Sequence, residues 1–157
     1  MLDMSEMINR LIFHEGIKLK PYICPAGKLT IGIGRNTQGN PFTKEELARI
    51  GNWKNGITRE QAYWLCQNDI ERCIKELRNN LIWFDKLDAE RKYALIDLCF
   101  NCGIRTLLGF KKMLGNISVG NYNKASDELL NSKYAKKDSP KRAKRISNLI
   151  KTGRWVI

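Results

Sequence analysis

EGIKLKPYICPAGKLTIGIG (residues 15–34) is the stretch that decides the fold of this chain. It begins with a carboxylic acid, Glu15, and the glycine directly after it is a typical stop signal for a helix. Two short strands are predicted next, Lys18–Ile23 and Lys28–Ile33, with a proline-alanine-glycine turn between them. The stretch therefore predicts the end of a helix followed at once by a β-hairpin.

The residues on either side of the helix stop complete this picture. Apolar residues recur at helical spacing over residues 4–14, which predicts the helix itself, and either Asp3 or Ser5 can cap its start. In the second strand Thr30, Gly32 and Gly34 alternate with apolar residues. That face of the hairpin is nearly bare, and we expect a ligand to approach the backbone closely there.

Capping signals mark the helices that follow. Thr43 with Glu46 predicts a short helix, and Thr58 with Gln61 predicts a long one that ends near Leu77. Further helices are predicted from Asp88 to about Asn101, over about 106–115, over 119–132 and over 140–151.

Asp69 lies on the apolar stripe of the long helix, and a charge in such a place needs a partner. Arg35, just after the hairpin, is the candidate. The alternative is that Asp69 lies at the edge of the stripe, in solvent.

Length and charge narrow the classes of function. The chain has 157 residues, which suits one domain, and a formal net charge of +12. This charge predicts attraction to polyanions, but we find no module or basic stripe with stacking aromatics that indicates a specific nucleic-acid partner. No apolar run is long enough to span a bilayer, and the N-terminus lacks the pattern of a signal peptide.

The five cysteines do not have the spacing of a disulfide framework. Cys66 and Cys73 lie two helical turns apart, about 10 Å, which is too far for a disulfide. Cys99 and Cys102 lie in an apolar helical run without further zinc ligands nearby in sequence. We expect these four to be small core residues in a reducing compartment, and we expect no metal site and no cofactor. Cys24 is the exception.

The hairpin motif resembles a known family. Glu15, Cys24 and Thr30 are separated by eight and five residues, and an Ile-Gly-Ile-Gly run follows. This pattern resembles the T-even phage type of lysozyme, the endolysins that cut bacterial cell walls, in which Asp or Cys stands at the second position. FNCG (residues 100–103), PKRAKR (140–145) and TGRW (152–155) resemble the family in the same order along the chain.

The resemblance implies a mostly helical α+β fold for a single lysozyme domain over residues 1–157. It implies a small N-terminal lobe with a β-hairpin sheet, a long connecting helix, and a larger helical C-terminal lobe, with a cleft between the lobes. The expected ranges are about 15–57 for the first lobe, 58–79 for the helix, and 80–157 plus 1–14 for the second lobe.

The resemblance also implies roles for particular residues. Glu15 is expected to be the general acid that protonates the leaving oxygen, and the negative end of the helix dipole favours its protonated form. Thr30 is expected to hold the attacking water on the opposite face of the sugar. The other matching positions are sugar contacts at Asn36, Phe100 and Met113, the glutamate's partners Asn101 and Arg142, and the charge pair of Arg35 and Asp69.

Cys24 stands where better-known members of the family have aspartate. A thiol with an unperturbed pKa of about 8.5 is mostly neutral at pH 7. Three roles stay open: a thiolate that replaces the carboxylate, a neutral polar group that shapes the water site, and inert packing.

The expected function is hydrolysis of the β-1,4 bond between N-acetylmuramic acid and N-acetylglucosamine in peptidoglycan. One alternative is a lytic transglycosylase, which leaves a 1,6-anhydro end and uses Glu15 alone. Another is a non-catalytic cationic protein that binds the wall or a membrane. We expect a monomer that leaves the host cytoplasm with the help of a separate phage membrane protein and then reaches the periplasm and the anionic cell wall.

Overall fold

The computed structural model describes residues 2–156, which form a mostly helical fold with one small antiparallel sheet. The helices are α1 (Met4–Glu15), α2 (Lys44–Ile50), α3 (Arg59–Asn80), α4 (Ala89–Gly109), α5 (Lys111–Ser118), α6 (Tyr122–Leu130) and α7 (Pro140–Thr152). The strands are β1 (Lys18–Ile23), β2 (Leu29–Gly32) and β3 (Arg35–Asn36), and short 3-10 or π-helical turns lie at Trp53–Asn55, Phe84–Lys86 and Tyr134–Asp138. The predicted α+β fold class is confirmed.

The chain divides into two compact units, Asp3–Glu71 and the residues from Arg72 onward with Leu2, and the boundary falls inside α3. The first unit contains α1, the sheet and α2. The expected lobes placed residues 1–14 with the later helices, whereas α1 belongs to the unit that contains the sheet.

The predicted helix starts are confirmed by their caps. Asp3 accepts a hydrogen bond from the first turn of α1, and Asp88 does the same for α4. Both predicted capping boxes are formed, by Thr43 with Glu46 and by Thr58 with Gln61. Each box satisfies backbone N–H groups that would otherwise lack a partner at a helix start.

The sheet of the first unit has the order β1-β2-β3. Its apolar face packs into a core of Ile31, Ile50, Ile57, Ala62 and Leu65, with Phe42, Trp53 and Trp64 against it. The second strand ends one residue earlier than predicted, because Gly32 has a φ of +70°. Gly32 is also buried against Ile57 and Ala62, so the expectation of a bare face open to a ligand is wrong at this position.

Arg35 is the polar centre of the first unit. Its guanidinium forms ion pairs with Glu46 at 2.7 Å and with Asp69 at 3.1 Å. It also donates hydrogen bonds to the backbone carbonyls of Asn40 at 2.8 Å and Pro41 at 3.2 Å. Arg35 and both carboxylates are buried. The predicted pair of Arg35 with Asp69 is confirmed, and Glu46 is a second anion that the sequence indicated only as a helix cap.

Glu46 is the most strongly perturbed carboxylate of this cluster. Its burial alone would raise the pKa, but hydrogen bonds from Arg35, the Thr43 N–H and Asn68 outweigh burial and lower the pKa from 4.5 to about 2. Because the folded-state pKa is lowered, the stabilisation is present above the ordinary pKa and is lost as the pH falls toward about 2.

Within the described residues, all the regular secondary structure of the second unit is helical. α4 is interrupted at Gly103, whose φ is +84°, and the chain bends by 93° between α4 and α5. The predicted helix over 106–115 is therefore wrong in its boundaries. Its first residues belong to the end of α4 and its last residues belong to α5. α6 and α7 lie within about three residues of the predicted ranges, while the π-helical turn Tyr134–Asp138 was not predicted.

No single helix among residues 2–156 is long and apolar enough to cross a membrane. The bent pair of α4 and α5 has the required length and composition only when both helices are taken together.

We predict that Arg35→Met lowers the free energy of unfolding by about 3–5 kcal/mol, because it leaves two buried carboxylates without their cation. Chemical denaturation at neutral pH measures this loss. The control is Lys44→Met, which removes an exposed cation of α2 and should change the free energy by less than about 0.5 kcal/mol. A similarly small effect of Arg35→Met would contradict the central role of this cluster.

Candidate functional site

Glu15 ends α1, and its carboxyl group lies directly against Gly34. A Cβ atom built on Gly34 would lie 2.7 Å from Glu15 Cδ and 2.9 Å from Glu15 Oε1. Gly34 also has a φ of +66°, where a residue with a side chain is strained. A glycine is therefore required at position 34 for two reasons. It allows the backbone turn, and it leaves the space that the Glu15 carboxyl group occupies.

The charge of Glu15 affects the pKa values of two side chains of the first unit, Tyr22 and Cys66. The pKa of Tyr22 is raised by burial and further by the charges of Glu15 and Cys24. The pKa of Cys66 is raised by burial and further by Asp69 and Glu15. Tyr22 and Cys66 therefore stay protonated at neutral pH. The charges of Glu15 and Cys24 both act on the Tyr22 hydroxyl.

Cys24 lies at the hairpin turn, just after β1. Its backbone N–H donates to the Lys28 carbonyl at 2.9 Å, and its own carbonyl accepts from the Gly27 N–H at 2.8 Å. Gly27 has a φ of +79°, as a turn of this kind requires. The turn therefore fixes the thiol at the end of the sheet, where Cys24 is half-buried.

Thr30 faces the same end of the hairpin from β2. It pairs with Tyr22 across the two strands, and only 3% of its surface is exposed. Its hydroxyl donates to the Lys28 carbonyl at 2.9 Å and is one of the groups that lower the pKa of Cys24. Because a hydroxyl has one hydrogen, it can donate to the carbonyl while it accepts from a thiol or a water, or it can donate to a thiolate.

These hydrogen bonds change the acidity of Cys24. Burial raises the pKa of the thiol, but hydrogen bonds from the Lys28 backbone, the Thr30 hydroxyl and the Ala26 backbone act in the opposite direction. The net pKa lies below the ordinary value. A lowered pKa increases the fraction of thiolate at neutral pH.

Asn36, a predicted sugar contact, has a structural role in the turn after β3. Its Oδ1 accepts hydrogen bonds from the Gln38 N–H at 3.0 Å and the Gly39 N–H at 3.1 Å. A Cβ atom on Gly39 would lie 2.9 Å from Asn36 Nδ2. The side chain is therefore held within its own turn.

The predicted supporting residues of the second unit have clear partners there. Arg142, which is 8% exposed, pairs with Asp97 at 2.7 Å. Asn101 accepts a hydrogen bond from the Tyr134 hydroxyl at 2.8 Å. Burial raises the pKa of Tyr134, so this hydroxyl stays a donor. Asp97 and Tyr134 therefore fix the two residues that the resemblance indicated.

The two remaining predicted contacts differ in exposure. Phe100 is half-buried on α4, which leaves part of its ring accessible. Met113 on α5 is 1% exposed, so the structure gives its predicted sugar contact no support.

Four residues of these surroundings were not predicted to have the roles found here: Tyr22, Gly34, Glu46 and Tyr134. Gly34 belonged to the quoted motif, but its role beside Glu15 depends on a contact between α1 and the segment after β2. Tyr22 could have been suggested by its position two residues before Cys24, since alternate strand residues share a face.

Charge is distributed unevenly between the two units. The residues from Arg72 onward contain 19 of the 28 lysines and arginines and 8 of the 16 acidic residues, which gives +11, whereas the residues before Arg72 have 9 and 8, which gives +1. Nearly all of the positive charge therefore belongs to the helical second unit.

The first unit thus combines a carboxyl group at a helix end with a polarised thiol and hydroxyl pair on the neighbouring hairpin. Such a set can donate a proton from one group while the other two orient a water molecule.

Comparison with known proteins points to one family. The profile of the family described as Phage lysozyme matches residues 13–151. The probable T4-type lysozyme 2 of Dictyostelium discoideum is 29% identical over 163 residues, which cover 95% of each chain. An endolysin of Acyrthosiphon pisum secondary endosymbiont phage 1 is 32% identical over 123 residues, 78% of this chain and 74% of that protein. The pre-baseplate central spike protein Gp5 of Enterobacteria phage T4 is 26% identical over 166 residues, 97% of this chain but 28% of that protein.

We predict that Gly34→Ala displaces the Glu15 carboxyl group and destabilises the protein by more than its backbone strain alone, which costs about 1–3 kcal/mol. The matched control is Gly27→Ala, because Gly27 also has a positive φ but has open space where the Cβ would lie. Chemical denaturation of both variants gives the difference. Equal losses in the two variants would contradict the close approach of Glu15.

We also predict that Thr30→Val raises the pKa of the Cys24 thiol, because the Thr30 hydroxyl is one of the groups that lower this pKa. The pH dependence of the alkylation rate at Cys24, located by peptide mass spectrometry, measures this pKa. Thr30→Ser keeps the hydroxyl and should leave the profile close to that of the wild type. An unchanged profile in Thr30→Val would show that the hydroxyl does not act on the sulfur.

Proposed function

Because this chain belongs to the phage lysozyme family and is a peptidoglycan-cleaving glycoside hydrolase, we propose that it hydrolyses one particular bond. That bond is the β-1,4 linkage between N-acetylmuramic acid and N-acetylglucosamine. The observation that supports this proposal best is the position of Glu15. Its carboxyl group occupies the space that a side chain at residue 34 would fill.

Glu15 is the general acid in this proposal. Hydrolysis of a glycoside needs a protonated carboxyl group next to the leaving oxygen. Glu15 is the last residue of α1 and lies directly before the hairpin that carries Cys24 and Thr30.

Thr30 and Cys24 orient the attacking water in this proposal. The Thr30 hydroxyl donates to the Lys28 carbonyl, so its lone pairs are left to accept a hydrogen from water. A water held in this way presents its own lone pair to the anomeric carbon. The lowered pKa of Cys24 increases its thiolate fraction, and a thiolate can accept the proton that the water loses.

Sugar binding is proposed to include Phe100, whose half-buried ring can lie against the apolar face of a pyranose. Asn36 contributes through the turn that it fixes. The charge of +11 on the residues from Arg72 onward supports attraction to the anionic cell envelope. We further propose that the enzyme acts as a monomer and that a separate phage membrane protein releases it from the host cytoplasm to the wall.

The direct test is the rate at which purified Gram-negative peptidoglycan loses turbidity. We predict that the wild type clears the suspension and that Glu15→Gln lowers the rate about 100- to 10,000-fold, the range for loss of a general acid. The control Glu45→Gln removes an exposed carboxylate of α2 and should keep the wild-type rate. Full clearance by Glu15→Gln would overturn the assignment of Glu15.

The role of Cys24 is separated in the same assay. We expect Cys24→Asp to remain active, because a carboxylate also accepts a proton, and Cys24→Ser to lose activity most clearly at high pH. Full activity of Cys24→Ser at every pH would contradict a thiolate role and leave a polar side chain as the requirement.

A further inference from the structure

Three side chains that could bind a metal meet inside the second unit, and none of them belongs to the proposed catalytic residues. Cys73 and Glu76 lie on α3, and Cys99 lies on α4. The two sulfur atoms and a carboxylate oxygen all lie within 4.8 Å of one another. Residues three apart share one face of a helix, so α3 presents Cys73 and Glu76 together toward Cys99.

The carboxylate of this cluster is placed unusually. Glu76 Oε1 is buried and accepts no hydrogen bond, and its ion pair with Arg72 is long, at 3.5 Å. Burying a charged oxygen without a hydrogen-bond donor is costly. Cys73 and Cys99 beside it are 0% and 2% exposed. A cation bound among the three groups would offset this cost.

We propose that Cys73, Glu76 and Cys99 bind one zinc ion. Two thiolates and a carboxylate form a ligand set that zinc accepts, and three protein ligands with one open position form a known type of zinc site. Zinc to ligand distances of about 2.0–2.3 Å require the three atoms to approach one another slightly from their present separation. Hard cations such as Mg²⁺ and Ca²⁺ prefer oxygen ligands and are excluded by the two sulfurs.

Cys102 is not part of this site. Its sulfur hydrogen-bonds to the Leu98 carbonyl at 3.0 Å, and burial, followed by the nearby Cys99, raises its pKa to about 12. It therefore stays a neutral thiol. The site does not follow the Cys99-x-x-Cys102 spacing in the sequence, because its second sulfur comes from another helix.

Binding has a defined proton balance. Each thiol loses its proton when its sulfur bonds to the ion, so two protons are released to solvent for each zinc bound, and the carboxylate of Glu76 binds without a proton change. No electron is transferred. Glu76 is half-buried, whereas both cysteines are buried, so an ion would enter past the Glu76 side chain.

The bound ion would link α3 to α4 within the second unit. Because it binds the folded chain, it should raise the melting temperature with increasing zinc concentration. The proposal is independent of the proposed function, since no residue of the cluster belongs to the catalytic set. Its failure would therefore leave the glycosidase assignment unaffected.

The test uses the full chain, reduced and stripped of metal, with zinc added in stoichiometric steps. We predict one zinc per chain by elemental analysis after dialysis, release of two protons, and a rise in melting temperature. Cobalt, as a spectroscopic substitute, should give thiolate charge-transfer absorption. Glu76→Gln keeps the size of the side chain and should weaken zinc affinity at least about tenfold, the loss that even an outer partner of a metal ligand causes.

Cys73→Ser should abolish the cobalt signal. The matched control is Cys66→Ser, which changes a buried cysteine of the same helix two turns away and should bind zinc as the wild type does. Absence of stoichiometric zinc in the folded wild type would overturn the proposal. Zinc affinity that is the same in the wild type, Glu76→Gln and Cys73→Ser would also overturn it.

Discussion

The buried guanidinium of Arg35 is the interaction on which the first unit depends. It joins β3, where it lies, to Glu46 on α2 and Asp69 on α3. One cation facing two anions is a buried arrangement that is stable only while every member is satisfied. Here Asn40, Asn68 and the Thr43 N–H supply the further hydrogen bonds. Three elements distant in sequence are thus fixed by one side chain.

This cluster also bears on the proposed site, because Arg35 directly follows Gly34. With Arg35 fixed, the backbone of Gly34 is held where the Glu15 carboxyl group meets it. The other side of the hairpin is fixed by the turn at Cys24, where Lys28 accepts both the Cys24 N–H and the Thr30 hydroxyl. In the proposed mechanism the acid and the water-orienting pair are therefore positioned by backbone contacts, which need little rearrangement when substrate binds.

The sequence predicted features that local rules govern. The caps at Asp3, Thr43 and Asp88 follow from side chains that satisfy a helix start, and the partner of Asp69 follows from a charge on an apolar stripe. The sequence did not predict Glu46 as the second anion beside Arg35, because the capping role of Glu46 already accounted for that residue. Nor did it predict the space at Gly34 or the cluster of Cys73 with Cys99, since these depend on which elements pack together. The turn at Tyr134–Asp138 has no helical periodicity to reveal it.

The central claim is that Glu15, Thr30 and Cys24 carry out hydrolysis by water. The measurement that tests it most directly is mass spectrometry of the muropeptides released from peptidoglycan in water enriched in heavy oxygen. Hydrolysis predicts reducing N-acetylmuramic acid ends that contain one heavy oxygen atom. Ends that are 1,6-anhydro sugars without that label would contradict the account, because they form when the sugar's own hydroxyl replaces water and Glu15 acts alone as acid and then base.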